Sequence, residues 1–320
     1  MEKLVIATRR SQLALWQSEY IKAELLKHYP NMEVELQEFT TKGDKILDVP
    51  LAKIGGKGLF TKELEVAMLE GSAHLAVHSL KDVPTQFEDG LVLAAVSKRF
   101  NPQDALLSNK YKTIEELPKG AVVGTTSLRR RMAIKMLRPD IELKDLRGNI
   151  NTRIAKLNAG EYDAIILAAT GIEKLNLQNE VKYFTPISTD VKIPSMGQAT
   201  LGIETTNDSK IIEIVKVLND KNAQIESTIE RGFVDTLQGG CQVPIGVKAT
   251  IQDEKSVKIS AIVGLPDGSE YIKDEKIIDI NSFESAGRDF ANEFIKKGAV
   301  ELLKRAEAMA FKYSFLWFKS

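Results

Sequence analysis

The sequence predicts an α/β architecture with helix-covered sheets, on three observations. Short apolar runs alternate with amphipathic helical stretches over most of the chain. Two βαβ crossovers follow one another between residues 121 and 168. Beyond about residue 237 the alternation changes to that of an antiparallel meander closed by a helix.

Leu4 to Ala7 reads as the first strand, and Gln12 to His28 as a helix with Leu13, Trp16, Tyr20 and Ala23 on one face. Val34 to Phe39 is a second strand. Thr61 to Glu70 is helical with Leu64, Ala67 and Met68 inward, and "HLAVHS" at 74–79 is a strand running into "LKDVP". This first module ends near Ser97. A second unit opens after "KRFNPQDA": strand at Ala121 to Gly124, helix at Ser127 to Leu137, strand at Ile141 to Leu146, helix at Ile150 to Ala159, strand at Ala164 to Ala168. The polar stretch "YFTPISTDVKIPSMGQAT" then leads to "LGIET", an apolar run without partners nearby, which is expected to return to the first sheet. Helices around Ile211 to Leu218 and Asn222 to Leu237 open a third unit. There "GVKATIQ", "VKISAIVGLPDG" and "EYIKDEKIID" form the meander, and one helix from Ser285 to about Ala310 closes it.

A length of 320 residues suits roughly two to three domains. The 44 basic residues balance 44 acidic ones, so nothing global points to nucleic acid or a membrane. The start, "MEKLVIATRR", has no signal or transit character, and a lone cysteine fits a reducing cytoplasm. No apolar stretch reaches the roughly 18 to 20 residues needed to span a bilayer.

Arginines collect just after predicted strands: Arg9 and Arg10, Arg129 to Arg131, Arg147, Arg153. In open α/β sheets the ligand crevice lies beyond the carboxyl ends of strands, where these side chains would converge. In "GTTSLRRR" a strand ends at Gly124 and Thr125, Thr126 and Ser127 lead into a helix, so hydroxyls, free amides and guanidinium groups all suit an anion. "LRGNINTR" repeats the idea with Asn149 or Asn151 as cap. A solvated helix face is the plainer alternative.

"GGKGLFTKELE" lacks the full spacing of a phosphate-cradling loop, and its glycines suit either a mobile segment over a cleft or a simple turn. "HSLKDVP" sets Asp82 where a strand meets a loop, placed to steady a developing positive charge or merely to cap a turn. His28, His74 and His78 are too scattered for a metal triad, and no metal is expected. Cys241, in "LQGGCQVPIG", has no partner for a disulfide. It reads either as a small buried filler or as a nucleophile bared by Gly239 and Gly240 and activated by cations.

Seven motifs, "ATRRSQLAL", "GGKGLFTKELE", "AVHSLKDVP", "GTTSLRRR", "LRGNINTR", "YDAIILA" and "GGCQVPIG", stand in the order and spacing of the porphobilinogen deaminases, or hydroxymethylbilane synthases, which the chain resembles over nearly its whole length. The resemblance implies two periplasmic-binding-protein-like (type II) domains around a cleft plus a smaller C-terminal α/β domain with an antiparallel sheet. The expected division is 1–98 with 198–217, then 102–193, then 220–320. It implies a monomeric cytoplasmic transferase that joins four porphobilinogens head to tail, with loss of four ammonia molecules, and releases hydroxymethylbilane by hydrolysis.

It also implies that Cys241 carries a dipyrromethane cofactor through a thioether. Lys81, Asp82, Thr126, Ser127, Arg129, Arg130, Arg147 and Gly148 would bind that cofactor. Arg9, Ser11, Lys53, Phe60, Ser79, Arg147, Arg153 and Lys174 would receive substrate, whose pyrrole bears an acetate and a propionate. Asp82 would be the catalytic carboxylate, stabilising the cationic azafulvene left when ammonia departs. Gly55, Gly56, Lys57 and Gly58 would belong to a flexible loop over the site. A solute-binding protein on the same two-lobed cleft is the rival reading, and it needs neither Cys241, Asp82 nor the third unit.

The chain departs from the family pattern at three positions. Lys174 stands for a common arginine, Ala199 for a glycine at a hinge-like crossing, and Gly232 for a better helix former. The aromatic tail after Ala310 also extends beyond the pattern.

Overall fold

The computed structural model of the chain describes residues 3–45, 59–239 and 243–315. Strands β1 (Lys3–Arg9), β2 (Glu33–Phe39), β3 (Leu75–Ser79) and β4 (Leu91–Val96) come first. A second five-stranded sheet follows from β5 (Asp104–Ser108), β6 (Val122–Gly124), β7 (Glu142–Lys144), β8 (Ala164–Ala168) and β9 (Tyr183–Ile187), in the order β7-β6-β8-β5-β9. β10 (Leu201–Thr206) then returns to the first sheet, which reads β2-β1-β3-β10-β4. The expectation for "LGIET" holds, because β10 finds antiparallel partners in both β3 and β4.

The two sheets follow one plan. β1 runs parallel to β2 and β3, and β6 runs parallel to β7 and β8. Beside each trio lies an antiparallel strand, β10 or β5, and beyond it an outer strand. This is the type II periplasmic-binding-protein-like arrangement, with one crossing strand inserted in each sheet. The crossing segments are bonded to each other: Phe100 N donates to Ala199 O at 2.8 Å and Ser97 N to Leu201 O at 2.9 Å.

Parallel strands are covered on both faces, and β1 shows why its run is apolar throughout: Leu4, Ile6 and Ala7 are all buried. The helix Gln12–His28 is capped by Ser11, whose Oγ accepts from Ala14 N at 3.3 Å, and packs Ile21 and Leu25 on one face. The helix Lys62–Leu69 covers the other face with Leu64, Ala67 and Met68.

In the third region β11 (Ile245–Ile251), β12 (Ser256–Gly264) and β13 (Tyr271–Asp279) form the expected antiparallel meander. The helix Lys221–Thr236 and the helix Phe283–Lys296 fill its core with Phe233, Phe290 and Phe294, whose rings meet at 5.1 to 5.7 Å. The expected single closing helix is instead two, Phe283–Lys296 and Ala299–Phe315. Gly298 separates them at φ 91°, a left-handed turn that an L side chain resists.

Candidate active site

The carboxyl ends of the parallel strands carry the candidate residues. Beyond β3 the chain turns through a single 3₁₀ turn, Leu80–Asp82, which leaves the Asp82 carboxylate exposed. Leu80 N donates to Thr200 O at 2.9 Å, tying this turn to the crossing segment. Arg231, on the helix Lys221–Thr236, donates to Val83 O at 3.2 Å and Pro84 O at 2.5 Å just after it. Ser79 Oγ accepts from Gln17 Nε2 at 2.8 Å.

Across from it, beyond β6, Ser127 caps the helix Leu128–Leu137, its Oγ accepting from Arg130 N at 3.4 Å. Thr126 Oγ1 donates to Leu146 O at 3.3 Å, so its hydroxyl serves the next strand end. Asn149, of the two candidates, caps the helix Ile150–Asn158 by accepting from Thr152 N at 2.9 Å. Gly148 sits at φ 111°, and its carbonyl accepts from Arg153 Nε at 2.8 Å. A Cβ there would stand 2.7 Å from the Thr152 side chain, so the turn that aims Arg153 requires glycine.

Electrostatics shows which of these groups share one field. Burial, then Arg130 and Arg147, push the Arg153 guanidinium down to about 10, with Asp82 opposing. Burial lowers the Lys81 ammonium; Asp82 opposes this and Arg130 adds to it. Burial also lowers Arg147, against Asp145. Lys81 and Asp82 from the first sheet thus act on the arginines of the second. That combination suits a ligand bearing several carboxylates.

Four of the candidates have protein partners that the sequence did not reveal. Arg129 and Arg130 are neither on a solvated face nor wholly free for an anion, being 5% and 7% exposed. Arg129 Nη1 donates to Asp104 Oδ2 at 2.8 Å, and Arg130 Nε and Nη2 donate to Asp104 Oδ1 at 3.0 and 2.8 Å. Lys192 Nζ donates to the same carboxylate. Burial works to raise Asp104, but Arg129, Arg130 and Lys192 together hold it well below the usual carboxylate range. Arg9 is engaged as well. Its Nε donates to Asp44 Oδ2 at 3.2 Å, its Nη2 donates to Oδ1, and the Phe60 ring lies 4.4 Å from its guanidinium carbon. Lys174 sets its ammonium 4.0 Å from the centre of the Phe100 ring and 5.4 Å from that of Trp16.

Sequence reasoning missed Asp104, Lys192 and Asp44. The available signal was an acid opening the apolar run "DALLS", where a buried charge demands partners. Lys53, Gly55, Gly56, Lys57, Gly58 and Cys241 lie outside the described residues.

Fold and site define a class: a two-lobed α/β protein whose facing strand ends hold a buried excess of positive charge beside one exposed carboxylate. The chain belongs to the porphobilinogen deaminase family. Residues 4–213 match the family model "Porphobilinogen deaminase, dipyromethane cofactor binding domain" and residues 224–296 match "Porphobilinogen deaminase, C-terminal domain". It is 80% identical over 312 residues to the porphobilinogen deaminase of Aliarcobacter butzleri, covering 98% of this chain and 100% of that one. It is 60% identical over 309 residues to that of Sulfurimonas denitrificans, covering 97% and 99%. Among solved structures, the methionine-binding protein MetQ aligns at 14% identity and TM-score 0.44, over 70% of this chain and 92% of that one. The family is one of transferases, the hydroxymethylbilane synthases, and this chain contains its dipyrromethane-binding domain.

Proposed function

We propose that this chain condenses four porphobilinogens into hydroxymethylbilane, consuming one water and releasing four ammonia molecules, on a dipyrromethane held by Cys241. The observation that carries the reading is the buried cluster in which Arg129, Arg130 and Lys192 share the single carboxylate of Asp104. Such surplus positive charge fits a ligand with several carboxylates, as a dipyrromethane has. When bound, that group supplies the nucleophilic pyrrole carbon on which the chain grows.

The protein's own residues bind, orient and stabilise. Arg129, Arg130, Arg147 and Lys81, with Thr126, Ser127 and Gly148, form the cofactor side. Arg9, Ser11, Ser79 and Arg153 form the substrate side, joined by Lys53, Phe60 and Lys174, with the segment around Gly55, Gly56, Lys57 and Gly58 as the flexible loop above. Asp82 is the catalytic carboxylate. Its exposed oxygens accept pyrrole N–H groups and offset the positive charge that develops on the substrate as ammonia leaves.

The division into 1–98 with 198–217, 102–193 and 220–320 is supported by three separate sheets. We place the enzyme in the cytoplasm as a monomer acting without nucleic acid or membrane. No helix among the described residues is long and apolar enough to cross a bilayer.

Intact mass of the purified protein tests the reading. The expected adduct equals two porphobilinogens less two ammonia molecules, and Cys241→Ser removes it. An unmodified wild-type chain that forms no product overturns the proposal.

A further inference from the structure

Asp104 is the meeting point of parts that are distant in sequence. It opens β5 directly after one crossing segment, while Lys192 and Gln198 lie in the other. Gln198 Nε2 donates to Asp104 Oδ1 at 3.3 Å and to Pro102 O at 2.7 Å, so the same carboxylate ties the two crossings together. Lys192 is 1% exposed. Arg130 spends its guanidinium on Asp104 and on Ile166 O at 3.0 Å. Arg129 uses only Nη1, shared between Asp104 and Ile193 O, and its Nε–Nη2 edge has no protein acceptor among the described residues.

Three buried cations thus face one anion, and an edge shaped for a second carboxylate stays open. Burial and Arg129 lower the Lys192 ammonium well below its usual range, against the pull of Asp104.

We propose that Lys192 is a positioning residue for the dipyrromethane site: its buried charge leaves the Asp104 knot short of an anion. A carboxylate of the bound dipyrromethane, received on the open edge of Arg129, completes the knot and fastens the two crossing segments. Lys192 therefore weakens the cofactor-free protein and rewards the loaded one. This rests on the function proposed above.

The test compares wild type with Cys241→Ser, as loaded and cofactor-free forms, and repeats the pair with Lys192→Met added. The Tm gap between loaded and cofactor-free protein is expected to shrink by roughly half, mostly because Lys192→Met raises the cofactor-free Tm. An unchanged gap overturns the inference, since a lysine of purely structural worth shifts both forms equally. Should Lys192→Met not fold, Lys192→Arg serves instead. With the charge kept, the wild-type gap must persist, and a halved gap there refutes the inference. Intact mass separates the two readings. If wild type carries no adduct or Cys241→Ser retains one, the proposed function fails; if the masses are as expected but the gaps are equal, only the role of Lys192 fails.

Discussion

Arg231 donates to the carbonyl of Pro84 across 2.5 Å, although 147 residues separate the two in sequence. Through this contact the helix leading toward Cys241 holds the chain just past Asp82. Burial brings the Arg231 guanidinium to about 10, with Asp235 and Glu204 opposing, so the charge is retained at neutral pH.

Arg231→Met removes a charged donor from two carbonyls, at a cost of about 2–3 kcal/mol. Urea unfolding should show that loss. Turnover should fall with it while the adduct mass stays unchanged, and wild-type stability in the variant would contradict the bracing role.

Asp82→Asn keeps the shape of the side chain and removes its charge. The variant is expected to carry the adduct by intact mass yet couple substrate more slowly by on the order of 100-fold. Near-normal product formation in a single-turnover assay would show that the charge stabilisation lies elsewhere.

Ala199 adopts φ 68°, a left-handed conformation, at the crossing where it bonds Phe100. An L side chain there costs about 1–2 kcal/mol, partly offset by the greater freedom of glycine in the unfolded chain. Ala199→Gly is thus expected to stabilise by about 0.5–1 kcal/mol. Denaturant titration at constant m-value checks the sign.

Gly232 and Gly287 face each other across two helices and should respond oppositely to alanine. A Cβ on Gly232 would meet only ordinary contacts, the nearest 3.6 Å away at Arg288 N, whereas one on Gly287 would stand 2.0 Å from Ile229 O. Gly232→Ala should gain about 1 kcal/mol of helix propensity. Gly287→Ala should lower Tm by forcing the helices apart, and a stable Gly287→Ala protein would mean that the crossing yields readily.

Glu65 is 8% exposed and accepts from Thr61 Oγ1 at 2.5 Å. Burial raises its carboxyl; the Thr61 bond opposes this and Glu204 reinforces it. With the folded value above the unfolded one, the stability Glu65 contributes is present in full below about 4.3, the unfolded value, and is lost as pH rises through the folded one. The Tm of Glu65→Gln minus that of wild type should therefore increase from pH 4 to pH 8. Calorimetry showing a flat or falling difference would refute this.

What was legible in the sequence divides along physical lines. The bounds of Gln12–His28 were readable from apolar residues at helical spacing, but its inward face was not: Leu13, Trp16 and Tyr20 are half-buried and Ala23 exposed, while Ala14, Gln17, Ser18, Ile21 and Leu25 are buried. β10 was readable as a returning strand because an apolar run must find partners. β9 was hidden inside a polar stretch containing Pro186; it is an edge strand, paired only with β5, where a missing N–H is tolerated. β4 and β5 were passed over as short apolar runs. The arginines announced themselves by position, but their partners did not. Asp44 lies 35 residues from Arg9, Asp104 lies 25 from Arg129, and Lys192 lies 88 from Asp104. Pairings over such distances are set by tertiary structure, which local pattern does not carry.

The insertion of β10 between β3 and β4 bears on the order in which the enzyme is made. During synthesis the strands of the second sheet have all emerged once Ile187 is clear of the ribosome, whereas the first sheet stays split until Thr206 follows. The lobe translated first is therefore completed second, and its open strand edges must be shielded meanwhile from pairing with a neighbouring nascent chain.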